Sequence, residues 1–234
     1  MHAAPRHRRR RLLPVLAALF AVLATGFAGP APEPIAGGPS ARAGFQGSVE
    51  KLSPKLRERM TGSSWHEGCP VGLGRLRVLH VSHWDFDGDR RRGDLVVHER
   101  YARGMVAVMR RLYAQRFAIR RMELIDRYDA DDHRSMGADN TSAFNCRFVN
   151  GTSRWSMHAY GKAIDINPRE NPYVSGSFVS PPEGAPYADR SPKRKGMIYR
   201  KGPVVRSMRR IIGWEWGGAW SGARDYQHFS ETGT

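Results

Sequence analysis

Acidic residues are scarce in this sequence, and so are cysteines. Only 22 Asp and Glu stand against 38 Lys and Arg, which leaves a formal net charge of +16 over 234 residues. The two cysteines, Cys69 and Cys146, are too few and too far apart for a Cys-x-x-Cys zinc site. No apolar run is long enough to cross a bilayer comfortably; the best, Leu12 to Ala24, has about a dozen residues. No internal repeat, no glycine-rich phosphate loop and no Ser-His-Asp order stands out, which sets aside solenoids, nucleotide cradles and serine hydrolases. Asp85-Phe86-Asp87-Gly88-Asp89 lacks the full calcium-loop pattern and reads as a plain turn.

The apolar run is better placed in an export signal. Arg6 and Arg8 to Arg11 precede it as a basic segment, and small residues follow it, so residues 1–28 read as a signal peptide, or else an N-terminal anchor. Removing them takes away five Arg and no acid, so the charge becomes +16 − 5 = +11. A basic chain usually suggests nucleic acid. An exported one rarely meets it, so no nucleic-acid partner is expected, and anionic cell-wall polymers suit the charge better. In an oxidising compartment the cysteine pair is expected to form a disulfide. Residues 29–47 are rich in Pro, Gly and Ala and read as a flexible linker. That leaves residues 48–234 as the working domain, expected to act as a monomer.

What is present is concentrated from Ser156 to Pro168. His158 and Asp165 are both metal-ligand types, with Gly161 and Ala163 between them where backbone must turn or pack closely. Residues 163–167 alternate like a strand, with Ile164 and Ile166 directed to a core and Ala163, Asp165 and Asn167 to a cleft. Downstream, Asp225-Tyr226-Gln227-His228 offers a third ligand, His228. A His, Asp, His set leaves a fourth tetrahedral position open, the pattern of a catalytic zinc. Asp225, three residues before His228, is suited to take a proton from water. In a plain strand it would face away from His228, so the chain must turn between them. Glu215 is a more distant candidate acid.

The pattern Ser-x-His-x-x-Gly-x-Ala-x-Asp, followed by Asp-x-x-His-Phe, resembles the zinc D-alanyl-D-alanine carboxypeptidase family, which includes VanY and VanX types and L-alanyl-D-glutamate endopeptidases. The resemblance spans roughly residues 60–230. It implies zinc on His158, Asp165 and His228, a general base at Asp225, and peptidoglycan stem peptides as substrate. An Asp as the base looks more like the endopeptidase branch. Arg147, eleven residues before His158, is a candidate to grip a peptide carboxylate. Ser156 is a candidate to bind substrate or to orient the ligand loop.

Elsewhere the patterns are structural. Ser53-Pro54 reads as a helix start, with the helix running to Met60. Leu76 to Trp84 reads as a strand, Arg90 to Arg92 as a solvated loop, Leu95 to Val97 as a second short strand or helix entry, and Met122 to Ile125 as another strand. Glu99 to Phe117 and Pro203 to Ile212 have helical spacing. Residues 129–141 read as a polar loop and 171–196 as a long excursion without clear elements. At least two of Trp214, Trp216 and Trp220 are expected to fill the core. His66, His80, His83, His98 and His133 are not expected to bind the metal. The fold class is α+β, with a small antiparallel sheet carrying the zinc site and flanking helices. The function is that of a secreted zinc peptidase, with a non-catalytic wall-binding module as the alternative.

Overall fold

The computed structural model describes residues 44–233; the expected signal segment 1–28 and most of the expected linker lie outside them. In chain order the elements are β1 Gly47–Lys51, α1 Pro54–Met60, β2 Leu76–Trp84, β3 Arg90–His98, α2 Glu99–Ala114, β4 Arg121–Met122, α3 Asp132–Gly137, β5 Asn140–Thr141, β6 Ala163–Asp165, β7 Tyr173–Ser175, β8 Phe178–Ser180, α4 Pro203–Ile212, β9 Glu215–Trp216, β10 Arg224–Asp225 and β11 His228–Ser230. Short 3-10 turns connect several of them.

Strands β1, β2 and β3 form an antiparallel meander in which Leu79 faces both Val49 and Leu95. Successive side chains on a strand point to opposite faces, and here both faces are covered. Leu79, Val81, Leu95 and Val97 pack against Met105, Val108, Met109 and Leu112 of α2. Leu76, Val78 and Val96 pack the other way, against Leu52, Met60, Val71 and Phe144. Two-sided burial explains why Leu76 to Val81 is more apolar than simple alternation requires. α1 closes the second face. Ser53 Oγ accepts from Leu56 N–H and Pro54 opens the first turn, as its sequence anticipates.

The smaller sheets hold the chemistry-bearing residues. β6, β11 and β9 form one antiparallel sheet, with His228 directly opposite Asp165 and Phe229 opposite Ile164. β10, β7 and β8 form another, with Asp225 opposite Tyr173. β4 and β5 pair in parallel. The architecture is therefore mixed, with small antiparallel sheets and few helices. The small antiparallel sheet expected at the site is β6–β11–β9, which carries Asp165 and His228; two further antiparallel sheets and a parallel pair accompany it.

Four local expectations are corrected. Arg90 to Arg92 are not loop; they extend β3 and pair with Trp84 to Ser82 while their side chains stay exposed. The strand expected over Met122 to Ile125 stops at Met122. The Asn140 amide accepts from Glu123 N–H and donates to Glu123 O, taking the place of a strand neighbour. The polar loop contains α3, capped by Asp131, whose carboxylate accepts from Arg134 N–H. Residues 171–196 contain the β7–β8 hairpin and a 3-10 turn at Pro182–Tyr187. That excursion is held by side-chain bonds that leave no periodicity. Arg190 donates to the carbonyls of Glu170, Tyr187 and Ile198 and to Asn171 Oδ1. Asn171 Nδ2 in turn donates to Ile166, Asn167 and Gly196 carbonyls.

Cys69 and Cys146 are joined as expected, with Cα atoms 6.0 Å apart across a sequence separation of 77. The bridge ties the segment after α1 to the chain entering the His158 turn. Closing a loop of this size contributes about 4 kcal/mol in the chain-entropy account. Reduction, or Cys69→Ser with Cys146→Ser, should therefore lower the calorimetric melting midpoint by roughly 10 °C. An unchanged midpoint with both thiols verified as free would contradict that contribution.

Candidate metal centre

Local backbone chemistry sets the position of His158. Ser156 caps the 3-10 turn Met157–Tyr160, its Oγ accepting from His158 N–H at 3.3 Å. Gly161 ends the turn with φ +65°. Its carbonyl accepts from His98 N–H at 2.9 Å, and a Cβ there would sit 2.6 Å from that same nitrogen. Only glycine lets the turn clamp onto the end of β3 in this left-handed conformation. β6 then carries Asp165, and β11 brings His228 opposite it. Ile164 and Ile166 are fully buried in the main core, as their alternation implies. Asn167 departs from the expected cleft face. It leaves the strand at φ +47° and is wholly buried, its amide donating to Ala118 and Gly196 carbonyls.

The three side chains converge. His158 Nε2 lies 3.1 Å from Asp165 Oδ2, His228 Nδ1 lies 3.0 Å from Asp165 Oδ1, and the two ring nitrogens are 3.3 Å apart. All three residues are buried. His158 Nδ1–H donates to the Ala143 carbonyl. In the neutral ring this leaves Nε2 with a lone pair, and it points at a carboxylate oxygen and a second imidazole. Without a metal, His228 Nδ1–H can donate to Asp165 Oδ1; a cation can replace that proton among the three donors. On a tetrahedral zinc with bonds of about 2.0–2.1 Å, neighbouring ligand atoms would be about 3.3 Å apart, close to the distances found. The donor set fits a metal ion, and this His, Asp, His cluster can hold one.

Burial alone would push the Asp165 carboxyl up. The charges of His158 and His228 and their hydrogen bonds outweigh it and hold Asp165 below the usual carboxylate range. Asp225 goes the other way. Burial first, then the negative charge of Asp165, raise its pKa to about 6, while the two imidazoles oppose the rise. Its Oδ1 is buried without a hydrogen-bond partner. The required turn between Asp225 and His228 is a change of sheet: Asp225 pairs with β7, and three residues later His228 pairs with β6. Glu215, the other candidate acid, is exposed on β9 beside Gly233.

The remaining candidates have defined places. Arg147 donates to Asp132 of α3 at 2.8 Å, its Nε is buried without a partner, and its charge reaches His228. Ser156 spends its oxygen on the His158 turn. Trp214 and Trp216 are core residues, whereas the Trp220 ring lies 6.0 Å from the His228 ring. Two contributors carried no sequence signal: the Ala143 carbonyl, which could be any residue's, and Asp132, one acid among several in a polar stretch. None of the five other histidines named above joins the cluster. His80 meets Asp94, His98 caps α2, and His66 lies beside sulfurs already joined to each other.

A protein-family model described as D-alanyl-D-alanine carboxypeptidase matches residues 150–231, which include His158, Asp165, Asp225 and His228. The match is narrower than the span of the motif resemblance, but it is to the same family. No curated protein and no solved structure matches the chain.

The converging donors set the metal prediction. Protein dialysed against limiting zinc should retain about one ion per chain. His158→Ala and His228→Ala should each weaken binding by more than the roughly 10–100-fold typical of losing an outer-sphere partner. Elemental analysis and competition with a chromogenic chelator measure this. Undiminished affinity in both variants would remove the cluster from consideration.

Proposed function

Because residues 150–231 match the D-alanyl-D-alanine carboxypeptidase family, we propose that this protein is an exported zinc peptidase that cuts peptide bonds in peptidoglycan stem peptides. The bond is of the D-Ala-D-Ala or L-Ala-D-Glu type. The observation that carries the reading is the cluster itself: His158 Nε2, His228 Nδ1 and Asp165 converge where one ion can bind, beside a second carboxylate, Asp225, whose Oδ1 has no hydrogen-bond partner among the described residues. Zinc bound there supplies Lewis-acid polarisation of the scissile carbonyl and a water that ionises near neutral pH.

The chain's own groups do the rest. Asp225 offers Oδ1, which nothing else in the fold engages, as acceptor for the proton of the attacking water, and returns that proton to the leaving amine. Burial and the neighbouring Asp165 charge make its carboxylate a better proton acceptor than an exposed one. Arg147, oriented by Asp132, brings positive charge to bear on His228 and is suited to hold a substrate carboxylate near the site. Ser156 acts by fixing the His158 turn. Trp220 walls the site beside His228. A wall-binding module would need none of the strain of a buried, unpartnered Asp225 oxygen.

Asp225→Asn separates catalysis from binding. The variant should keep its zinc and melting midpoint while hydrolysis of a defined muropeptide falls about 10²–10⁴-fold. In the wild type, with zinc kept saturating, kcat/KM should fall toward acid pH, because protonation of Asp225 removes the acceptor, with a midpoint below about 6 because the bound cation favours the carboxylate. Near-wild-type turnover by zinc-loaded Asp225→Asn would exclude the role.

A further inference from the structure

Helix α2 turns Met105, Val108, Met109 and Leu112 to the core and leaves its opposite face exposed, with Arg103, Arg110 and Arg111 on it. α4 packs closely beside it; a Cβ at Gly104 would lie 2.4 Å from Ile212 Cγ2. α4 exposes Arg206, Arg209 and Arg210 while burying Val204 and Met208. No ion pair engages any of these six arginines among the described residues. Neither helix has an acid beyond Glu99, which is held by Arg75 and Arg77. The helix dipole favours Arg209 and Arg210 in the last turn of α4, but it gives no reason for Arg103 or Arg206. Arg206 and Arg210 stand four apart and repel each other.

We propose that this two-helix face binds a flexible polyanion of phosphodiester-linked units without bases, independently of the metal centre, which is carried by other elements. All six cations are arginines, whose planar fork matches a pair of phosphate oxygens. The rings beside the face are half-buried and already engaged, Phe45 under the Arg110 guanidinium and Tyr113 stacked on Trp84, so they offer no open face on which bases could stack, as single-stranded nucleic acids require. Its only large exposed apolar residue is Ile211, too little to seat a helix in a bilayer. Arg103 also lines a groove of about 800 Å³ with Lys51, Arg75, Arg77 and Lys162, and with Glu50 and Glu99. The groove extends the basic track past the N-terminal end of α2, and a chain-like ligand can enter it where a flat surface cannot.

The test uses the full chain and three probes: poly(glycerol phosphate), polyglutamate of similar charge, and phosphatidylcholine vesicles containing phosphatidylglycerol. Wild type should prefer poly(glycerol phosphate), with an affinity that falls as salt rises. A slope of about 0.7 per phosphate contact in the log–log plot is expected for a flexible strand. Arg103→Gln with Arg110→Gln and Arg209→Gln should lose about tenfold or more and flatten the slope by about 2. Lys replacements at the same positions should keep most of the slope. A control with the same charge change elsewhere, Lys55→Gln with Arg59→Gln and Lys193→Gln, should bind like wild type. Equal loss in the control, an unchanged Gln variant, or tighter binding to polyglutamate or to the vesicles would each overturn the proposal. The melting midpoint of each variant, read in the same buffer, confirms that it is folded.

Discussion

The centre of this protein depends on three buried side chains of metal-ligand type, His158, Asp165 and His228, brought together where one ion can bind. His158 must donate its Nδ1 proton to the Ala143 carbonyl, so the ring faces Asp165 and His228 with a lone pair. A buried carboxylate such as Asp165 is costly unless hydrogen bonds or a positive charge offset its burial, and here the two imidazoles, or a metal ion between them, can do so. The surrounding structure is built to impose this convergence. The Ser156 cap and the left-handed Gly161 fix the turn that carries His158, and the β6–β11 register puts His228 opposite Asp165. A one-residue slip in that short ladder would send His228 to the other face. Phe229, fully buried between Ile164 and Trp216 on the neighbouring strands, holds the register.

Asp225 meets the opposite constraint. It lies close enough to Asp165 for that charge to raise its pKa, yet outside the group of side chains that converge. The chain achieves this by changing sheets between Asp225 and His228, so each residue is aligned by a different set of strands. Arg190 and Asn171 fasten the excursion that carries β7, the strand that aligns Asp225. Asp225 is thus positioned by a segment whose order comes from buried polar side chains rather than from apolar packing.

The difference explains what could be read in advance. The convergence of His158, Asp165 and His228, with Asp225 near them, was legible because the residue types suited to metal ligation and proton transfer stand at short separations in two motifs. α1 and α4 were legible from caps and spacing, and the disulfide from the pairing of two cysteines in a chain read as exported. The sheet change was visible only as a requirement, since nothing in Tyr226-Gln227 specifies it. The order of residues 171–196 was hidden because Arg190 and Asn171 look like ordinary loop residues until their carbonyl partners are known. Arg90 to Arg92 misled because an exposed end of a strand and a solvated loop share the same composition. Asn167 misled for a related reason: alternation was extended one residue beyond the strand, into a position where its amide bonds the backbone of two other segments.

The most direct test of the account is the X-ray absorption spectrum of the zinc-loaded protein at the zinc edge. The structure calls for two imidazole nitrogens and oxygen donors at about 2.0–2.2 Å, with no sulfur. The His158→Ala variant should lose one imidazole's scattering or fail to load. A sulfur shell at about 2.3 Å, or an unchanged two-imidazole spectrum in the variant, would contradict the assignment of His158, Asp165 and His228 as the metal-binding set.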